Sequence, residues 1–143
     1  MRITGAVAVI LGGLVAAVTG PLELSRGSWA AAYLVLVAGA AQVMMGSARR
    51  HWPRAGADAA GWMQFALWNL GNLAVIGGTV GDSTIIVFTG SALLVAALIL
   101  ALLATLRLPS PPPHALLIAY RIVLLMLAVS IPVGMVLSAL RNA

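Results

Sequence analysis

Five apolar stretches of about twenty residues follow one another along the chain, separated by short polar or proline-containing breaks. A helix of about 20 apolar residues is long enough to cross the hydrocarbon core of a bilayer. The pattern predicts spanning helices at residues 3–21, 29–48, 61–80, 84–106 and 115–140. The predicted fold is an all-α, polytopic transmembrane helix bundle, with residues 1–143 forming a single domain.

The breaks between these stretches carry the residues that end helices. Prolines at 111–113 remove backbone donors and favour an extended chain, so they separate the fourth span from the fifth. Pro132 is expected to kink the fifth span near Ala128 without ending it, because neighbouring helices can satisfy the freed carbonyl. A four-span alternative requires the first segment, which has features of a signal peptide, to be cleaved or to lie at the membrane interface.

Composition excludes a water-soluble globule. The chain is 62% hydrophobic and 8% charged, whereas soluble domains carry about 25% charged residues. With 0 Cys, the chain has no disulfide, thiolate metal site or cysteine nucleophile. The formal net charge is +5, but the basic residues form no polar domain of their own. They are expected to meet anionic lipid headgroups, and nucleic acid is excluded as a partner.

All eight basic residues are arginine, and their distribution among the loops predicts the orientation. Short connections make neighbouring spans antiparallel, so the loops alternate between the two sides of the membrane. Five arginines fall on one side: Arg2, Arg49, Arg50, Arg54 and Arg107. Two fall on the other: Arg26 and Arg141. The positive-inside rule therefore predicts a cytoplasmic N-terminus in a multi-pass protein of the inner cell membrane.

The third predicted span is the most polar of the five. At helical spacing Gln64, Trp68 and Asn72 share one face, with Asn69 beside it. One interpretation is that these groups hydrogen-bond to Gln42 of the second span or to a neighbouring subunit and so help helices to pack. The other is that they line a polar cavity, pore or ligand pocket. Both interpretations remain open at this stage.

Arg121 is the one ionisable residue inside a predicted span. A central arginine costs about 2.5–3.5 kcal/mol on insertion scales, so its long side chain is expected to reach the cytoplasmic headgroups. Its guanidinium is a candidate to bind an anion, a lipid phosphate or a haem propionate. Of the three acidic residues, only Asp58 shares its predicted side and is available to pair with it.

Two histidines, His51 and His114, are predicted at the cytoplasmic ends of their spans. They are candidate ligands for haem iron or for a metal of unknown identity. The alternative is that both are solvated among arginines and headgroups.

No span carries paired carboxylates, a Ser-His-Asp arrangement or a nucleotide-binding loop, so no catalytic residue is predicted. Small residues in every span favour a non-enzymatic protein that acts through helix association, as a homo-oligomer or as an accessory subunit of a larger membrane complex, for which a respiratory complex is one candidate. Two alternatives are a haem- or metal-binding electron-transfer or gas-responsive protein, and an oligomeric channel or transporter.

Residues Tyr33 to Gly78 resemble the helix pair of NnrS-type membrane proteins, relatives of haem-copper oxidase subunit I. Two groups of residues carry the match. The first lies at the end of the second predicted span and consists of Gly46, His51, Pro53 and Arg54. The other lies within the third predicted span and is Leu67-Trp68-Asn69-Leu70-Gly71. Tyr33 stands where such proteins tend to carry a histidine. The resemblance implies a relative of respiratory or nitric-oxide-related membrane proteins, one that has kept the helix packing and lost the cofactor.

Overall fold

The computed structural model of the protein describes residues 1–52, 58–106, 108 and 112–141, with side chains to Ile131 apart from that of Asp58. This part of the chain forms five long helices: α1 (Arg2–Thr19), α2 (Gly27–His51), α3 (Asp58–Val80), α4 (Thr84–Leu106) and α5 (His114–Arg141). Each end lies within three residues of the predicted one, the largest differences being His51 against 48 and Asp58 against 61. The all-α prediction is confirmed. Pro132 does not end α5.

Four of the helices, all except α3, are long and apolar enough to cross a membrane. The amide side chains of α3 lower its mean hydropathy, but they lie on its buried side. Its outward side chains are apolar, with Trp62 69% and Leu73 67% exposed. Polar residues of membrane helices face the interior of the bundle while apolar ones face lipid, the reverse of a helix in water. The outward side of α3 is thus apolar, and the prediction that this helix also crosses the membrane stays a prediction.

The chain divides into two compact units, Met1–His51 and Trp52–Ala143. In the first unit α1 and α2 form an antiparallel hairpin, in which glycines allow the backbones to approach closely. A Cβ built on Gly5 would lie 2.8 Å from the Gly39 carbonyl oxygen, and one built on Gly12 would lie 3.0 Å from the Ala31 carbonyl oxygen. Small residues at such positions favour tight helix packing in membranes. The prediction of a single domain stays a prediction.

The middle of α2 departs from α-helical geometry. Residues Leu34–Ala41 form a π-helix, flanked by α-helical turns at Gly27–Tyr33 and Gln42–His51. A π-helix closes its hydrogen bonds between residues i and i+5, so it changes which side chains share a face. Tyr33 and Gln42 are nine residues apart, about two and a half turns of an α-helix, and the wider turns of Leu34–Ala41 shift their relative direction.

In the second unit a tight turn joins α3 to α4. The backbone N–H of Ser83 donates to the carbonyl of Gly78 over 2.8 Å, while Asp82 adopts the left-handed conformation with φ of 51°. Such a bond is typical of a helix C-terminal cap. The helices then run antiparallel: a Cβ on Gly71 would lie 2.9 Å from the Gly90 carbonyl oxygen, and one on Gly78 would lie 2.8 Å from Val87 N. Helix α5 packs against α4.

Candidate functional site

The predicted polar face of α3 is buried. Gln64, Trp68 and Asn72 are 1%, 0% and 5% exposed, and they recur at four-residue intervals along one side of the helix. Asn69 lies beside this face and is half-buried. The structure therefore brings three of the predicted site residues into the interior of their unit, where polar groups require partners.

The two asparagines of α3 satisfy their amide N–H groups within their own helix. Asn72 Nδ2 donates to the Trp68 carbonyl over 2.7 Å, and Asn69 Nδ2 donates to the Phe65 carbonyl over 2.7 Å. Such bonds to the residue four positions earlier do not join helices. The face keeps unmet hydrogen-bonding capacity, because Asn72 Oδ1 and Trp68 Nε1 are buried without a partner among the described residues. One acceptor and one donor on this face thus have no partner among the described residues.

The polar residues of α2 flank its π-helical segment. Gln42 is 1% exposed, and its Nε2 has no partner in the part of the chain that the structure describes. The Tyr33 hydroxyl is buried and equally without a partner there, while its ring stacks on Trp29 with centroids 5.3 Å apart. Sequence reasoning singled out Tyr33 only through the NnrS-type resemblance, since an apolar run with one phenol gives no sign of a π-helix.

His51 and His114 lie in different units, and both are exposed. His51 Nδ1 lies 2.9 Å from the Ser47 carbonyl oxygen. A carbonyl oxygen only accepts, so Nδ1 carries the proton in this contact and the Nε2 of a neutral ring keeps its lone pair. The described residues contain no group of three or more His, Cys, Asp or Glu side chains arranged to hold a metal ion.

Two side-chain hydrogen bonds from Arg121 join α5 to α4. Its Nε donates to Thr105 Oγ1 over 2.9 Å, and its Nη2 donates to the Thr105 carbonyl over 3.2 Å. Thr105 is 3% exposed. Sequence reasoning missed Thr105, although the sequence contains a signal. Position 109 is proline, which has no backbone N–H, so the residue four positions after Thr105 cannot donate a hydrogen bond to the Thr105 carbonyl.

Several residues of the predicted sites lie outside the described part of the chain. They are Pro53, Arg54, Arg107 and the side chains of Asp58 and Arg141. The expected pairing of Asp58 with Arg121 therefore stays a prediction, as does the arginine pattern that gives the orientation.

The four long apolar helices make this chain a multi-pass integral membrane protein. No family model, no curated protein and no solved structure matches it. The resemblance of residues Tyr33 to Gly78 to NnrS-type proteins therefore stays a prediction.

Proposed function

We propose that this protein acts by helix association in the inner cell membrane, as a homo-oligomer or as an accessory subunit of a larger, respiratory membrane complex. The observation that carries the proposal is the small-residue stripe of α1, which we define as Ala6, Gly13 and Ala17 together with Gly20, the residue that caps the helix. All four residues are exposed. They flank the glycine face that packs on α2 and do not belong to it.

Adjacent glycines show the difference between the two faces. A Cβ on Gly12 would meet Val35, Ala31 and Leu34 of α2 at 2.7–3.0 Å, whereas a Cβ on Gly13 or Gly20 would have no atom within 4 Å. Gly13 and Ala17 have the small-xxx-small spacing that allows helix backbones to approach closely in membranes. The stripe, which the exposed Ile10 accompanies, thus offers small residues like those of the packed face, but no helix among the described residues packs on it.

Burial along the chain supports α1 as the associating helix. Only two of the 18 residues of α1 are buried, against seven of the 23 residues of α4. A helix that faced lipid on all its remaining surface would gain nothing from small residues there, since lipid tails pack as well against leucine. A second helix gains close backbone contact from them, which is the main source of helix affinity within a bilayer. A second copy of this chain is the simplest partner, and a respiratory subunit is the partner that the NnrS-type resemblance favours.

We expect the substitution Gly13→Leu to abolish self-association while leaving the hairpin of α1 and α2 folded. Its side chain would project from the stripe and hold a partner helix away, but it meets no atom of its own chain. The test is to co-express two differently tagged copies, capture one tag from mild detergent and measure how much of the other is recovered. The matched control is Gly77→Leu, because Gly77 also has nothing within 4 Å but lies among the large exposed side chains of Leu70, Leu73 and Val80.

Loss of the second tag in Gly13→Leu, with retention in Gly77→Leu, is the expected result. Equal recovery of the second tag in both variants and in the wild type would show that the stripe is not the contact surface. No recovery in the wild type, combined with no other protein captured, would remove the basis for association altogether.

One observation favours a second function, haem binding through His51. Histidines that ligate a metal almost always donate their other ring N–H to a carbonyl or carboxylate, and His51 Nδ1 already has the Ser47 carbonyl at 2.9 Å. This contact leaves the Nε2 of the exposed ring as the candidate ligand for haem iron.

The haem proposal predicts a Soret band and reduced α and β bands in protein purified from cells supplied with haem precursor. The band is expected to disappear in His51→Ala and to persist in His114→Ala, whose ring has no orienting carbonyl contact among the described residues. A colourless preparation that also fails to take up added haem would eliminate this function, and the association proposal would be unaffected.

A further inference from the structure

Arg121 is held in one place by two hydrogen bonds. Its Nε and Nη2 lie on the same edge of the guanidinium, and both donate to Thr105, at 2.9 Å to Oγ1 and 3.2 Å to the carbonyl oxygen. Thr105 Oγ1 donates its own hydrogen to the Leu102 carbonyl over 2.8 Å. The lone pairs of the same oxygen are therefore available to accept, and one of them accepts from Arg121 Nε. The guanidinium plane is therefore fixed relative to α4.

The other edge of the same guanidinium is unused. An arginine has five N–H donors in a rigid fork, and Thr105 takes only two of them. Both donors on Nη1 and one on Nη2 have no partner among the described residues, and no described carboxylate pairs with Arg121. The donors of the Nη1–Nη2 edge are parallel and match two oxygens of one phosphate group.

Several features place this edge near the end of the helices. Thr105 is one residue from the end of α4 at Leu106, and Arg121 lies seven residues, about 10 Å at helical rise, from the start of α5 at His114. Tyr120, next to Arg121, contacts the Trp52 ring edge-on with centroids 5.4 Å apart. Paired Trp and Tyr rings are typical of the level of the headgroups.

We propose that the Nη1–Nη2 edge of Arg121 binds a phosphate group, with Thr105 as the residue that positions the guanidinium. The phosphate belongs either to an anionic phospholipid of the adjacent leaflet or to a soluble phosphate compound. The negative charge of the phosphate neutralises the positive charge of an arginine that lies inside a span. Two oxygens of the phosphate accept hydrogen bonds from the N–H groups that do not bind Thr105. This site is independent of the small-residue stripe on α1.

The test uses the full chain in phosphate-free maltoside detergent. Native mass spectrometry measures bound lipid while phosphatidylglycerol, a phosphate-free galactolipid or inorganic phosphate is added, and the thermal unfolding midpoint is recorded under each condition. The wild type is expected to bind phosphatidylglycerol and to gain stability from it, but not from the galactolipid. Arg121→Gln is expected to bind at least about tenfold more weakly, since hydrogen bonds to a charged partner are lost.

The charge-matched control is Arg50→Gln, because Arg50 is exposed at the end of α2 and reports general attraction to anionic lipid. It should bind as the wild type does. Arg121→Lys keeps the charge but loses the planar fork, so it should also bind more weakly than the wild type.

If Arg121→Gln fails to fold, Thr105→Val serves as the second variant. It keeps the guanidinium but removes the hydroxyl that orients it, and we expect an affinity about two- to tenfold lower. Binding of inorganic phosphate with the same variant pattern would support the site with a soluble ligand. Equal affinity for phosphatidylglycerol in the wild type, Arg121→Lys and Thr105→Val would overturn the proposal, as would equal binding of the galactolipid by the wild type.

Discussion

The substitution Gly90→Ile is expected to separate α4 from α3 and to cause a large loss of stability. A Cβ at position 90 would lie 2.8 Å from the Gly71 carbonyl oxygen, from Val75 N and from Ala74 Cβ. Two of these atoms are backbone, so no side-chain rotation relieves the contact. Overpacking costs about 1–3 kcal/mol in a well-packed core, and isoleucine adds three more carbons to the clash.

The matched control for Gly90→Ile is Gly77→Ile. Both glycines lie within helices, so the change in helix propensity is the same, but Gly77 has nothing within 4 Å. Thermal unfolding of the purified variants in one detergent measures the difference. We expect a large drop in the midpoint for Gly90→Ile and little change for Gly77→Ile. Similar midpoints for both variants would mean that α3 and α4 do not pack through Gly71 and Gly90.

Removal of the Trp68 side chain is expected to cause a similarly large loss of stability. Trp68 is 0% exposed and is the largest fully buried side chain among the described residues. Truncation of a buried aromatic side chain to alanine typically costs about 3–5 kcal/mol, because the surrounding structure collapses only in part. Trp68→Phe keeps most of the packing and removes an indole N–H that has no partner among the described residues. We therefore expect Trp68→Phe to lose much less stability than Trp68→Ala.

Asn72→Leu tests the other buried polar atom of this face that has no partner among the described residues, Asn72 Oδ1. Leucine has a similar volume, and it removes a buried oxygen without a partner among the described residues, so stability should be unchanged or higher. This result would mean that the polar face of α3 serves packing. If Asn72→Leu instead lowered stability by as much as Trp68→Ala, then Asn72 Oδ1 would have a bound partner, such as water, and the polar-cavity interpretation would gain support.

The positions of the helices were predictable because the bilayer requires them. A span must be apolar over about 20 residues and must satisfy its backbone groups internally, so the breaks at 81–83 and 107–113 in the sequence locate helix ends to within a few residues. The side of α3 that is buried was predictable for a similar reason. Polar side chains at four-residue spacing in a membrane helix have only the interior of the bundle to face.

The π-helix of α2 was not predictable, because nothing in Leu34–Ala41 distinguishes an i to i+5 pattern from an α-helix: the segment is apolar and contains no proline. The two neighbouring glycines of α1 were equally ambiguous. Gly12 and Gly13 are the same residue type and each has one leucine neighbour. Only the position of α2 determines that Gly12 is in backbone contact while Gly13 is open.

The contact of Arg121 with Thr105 was only partly within reach of sequence reasoning. The length of the arginine side chain predicted that it would extend toward the membrane surface. Its partner depends on the way α5 packs on α4. The sequence pattern within α5 does not determine that packing. The missing N–H at Pro109 identifies the Thr105 carbonyl as a group in need of a donor, but it does not identify which helix supplies one.

Cysteine cross-linking at position 13 tests the association proposal most directly. The chain has 0 Cys, so Gly13→Cys introduces its only thiol, and two such thiols form a disulfide only when their Cα atoms come within about 7 Å. Mild oxidation of native membranes, followed by non-reducing electrophoresis, measures the product, with Gly77→Cys as the control. The account predicts a disulfide-linked dimer for Gly13→Cys and monomer for Gly77→Cys. Monomer for both, or dimer in equal amounts for both, would contradict self-association through the stripe.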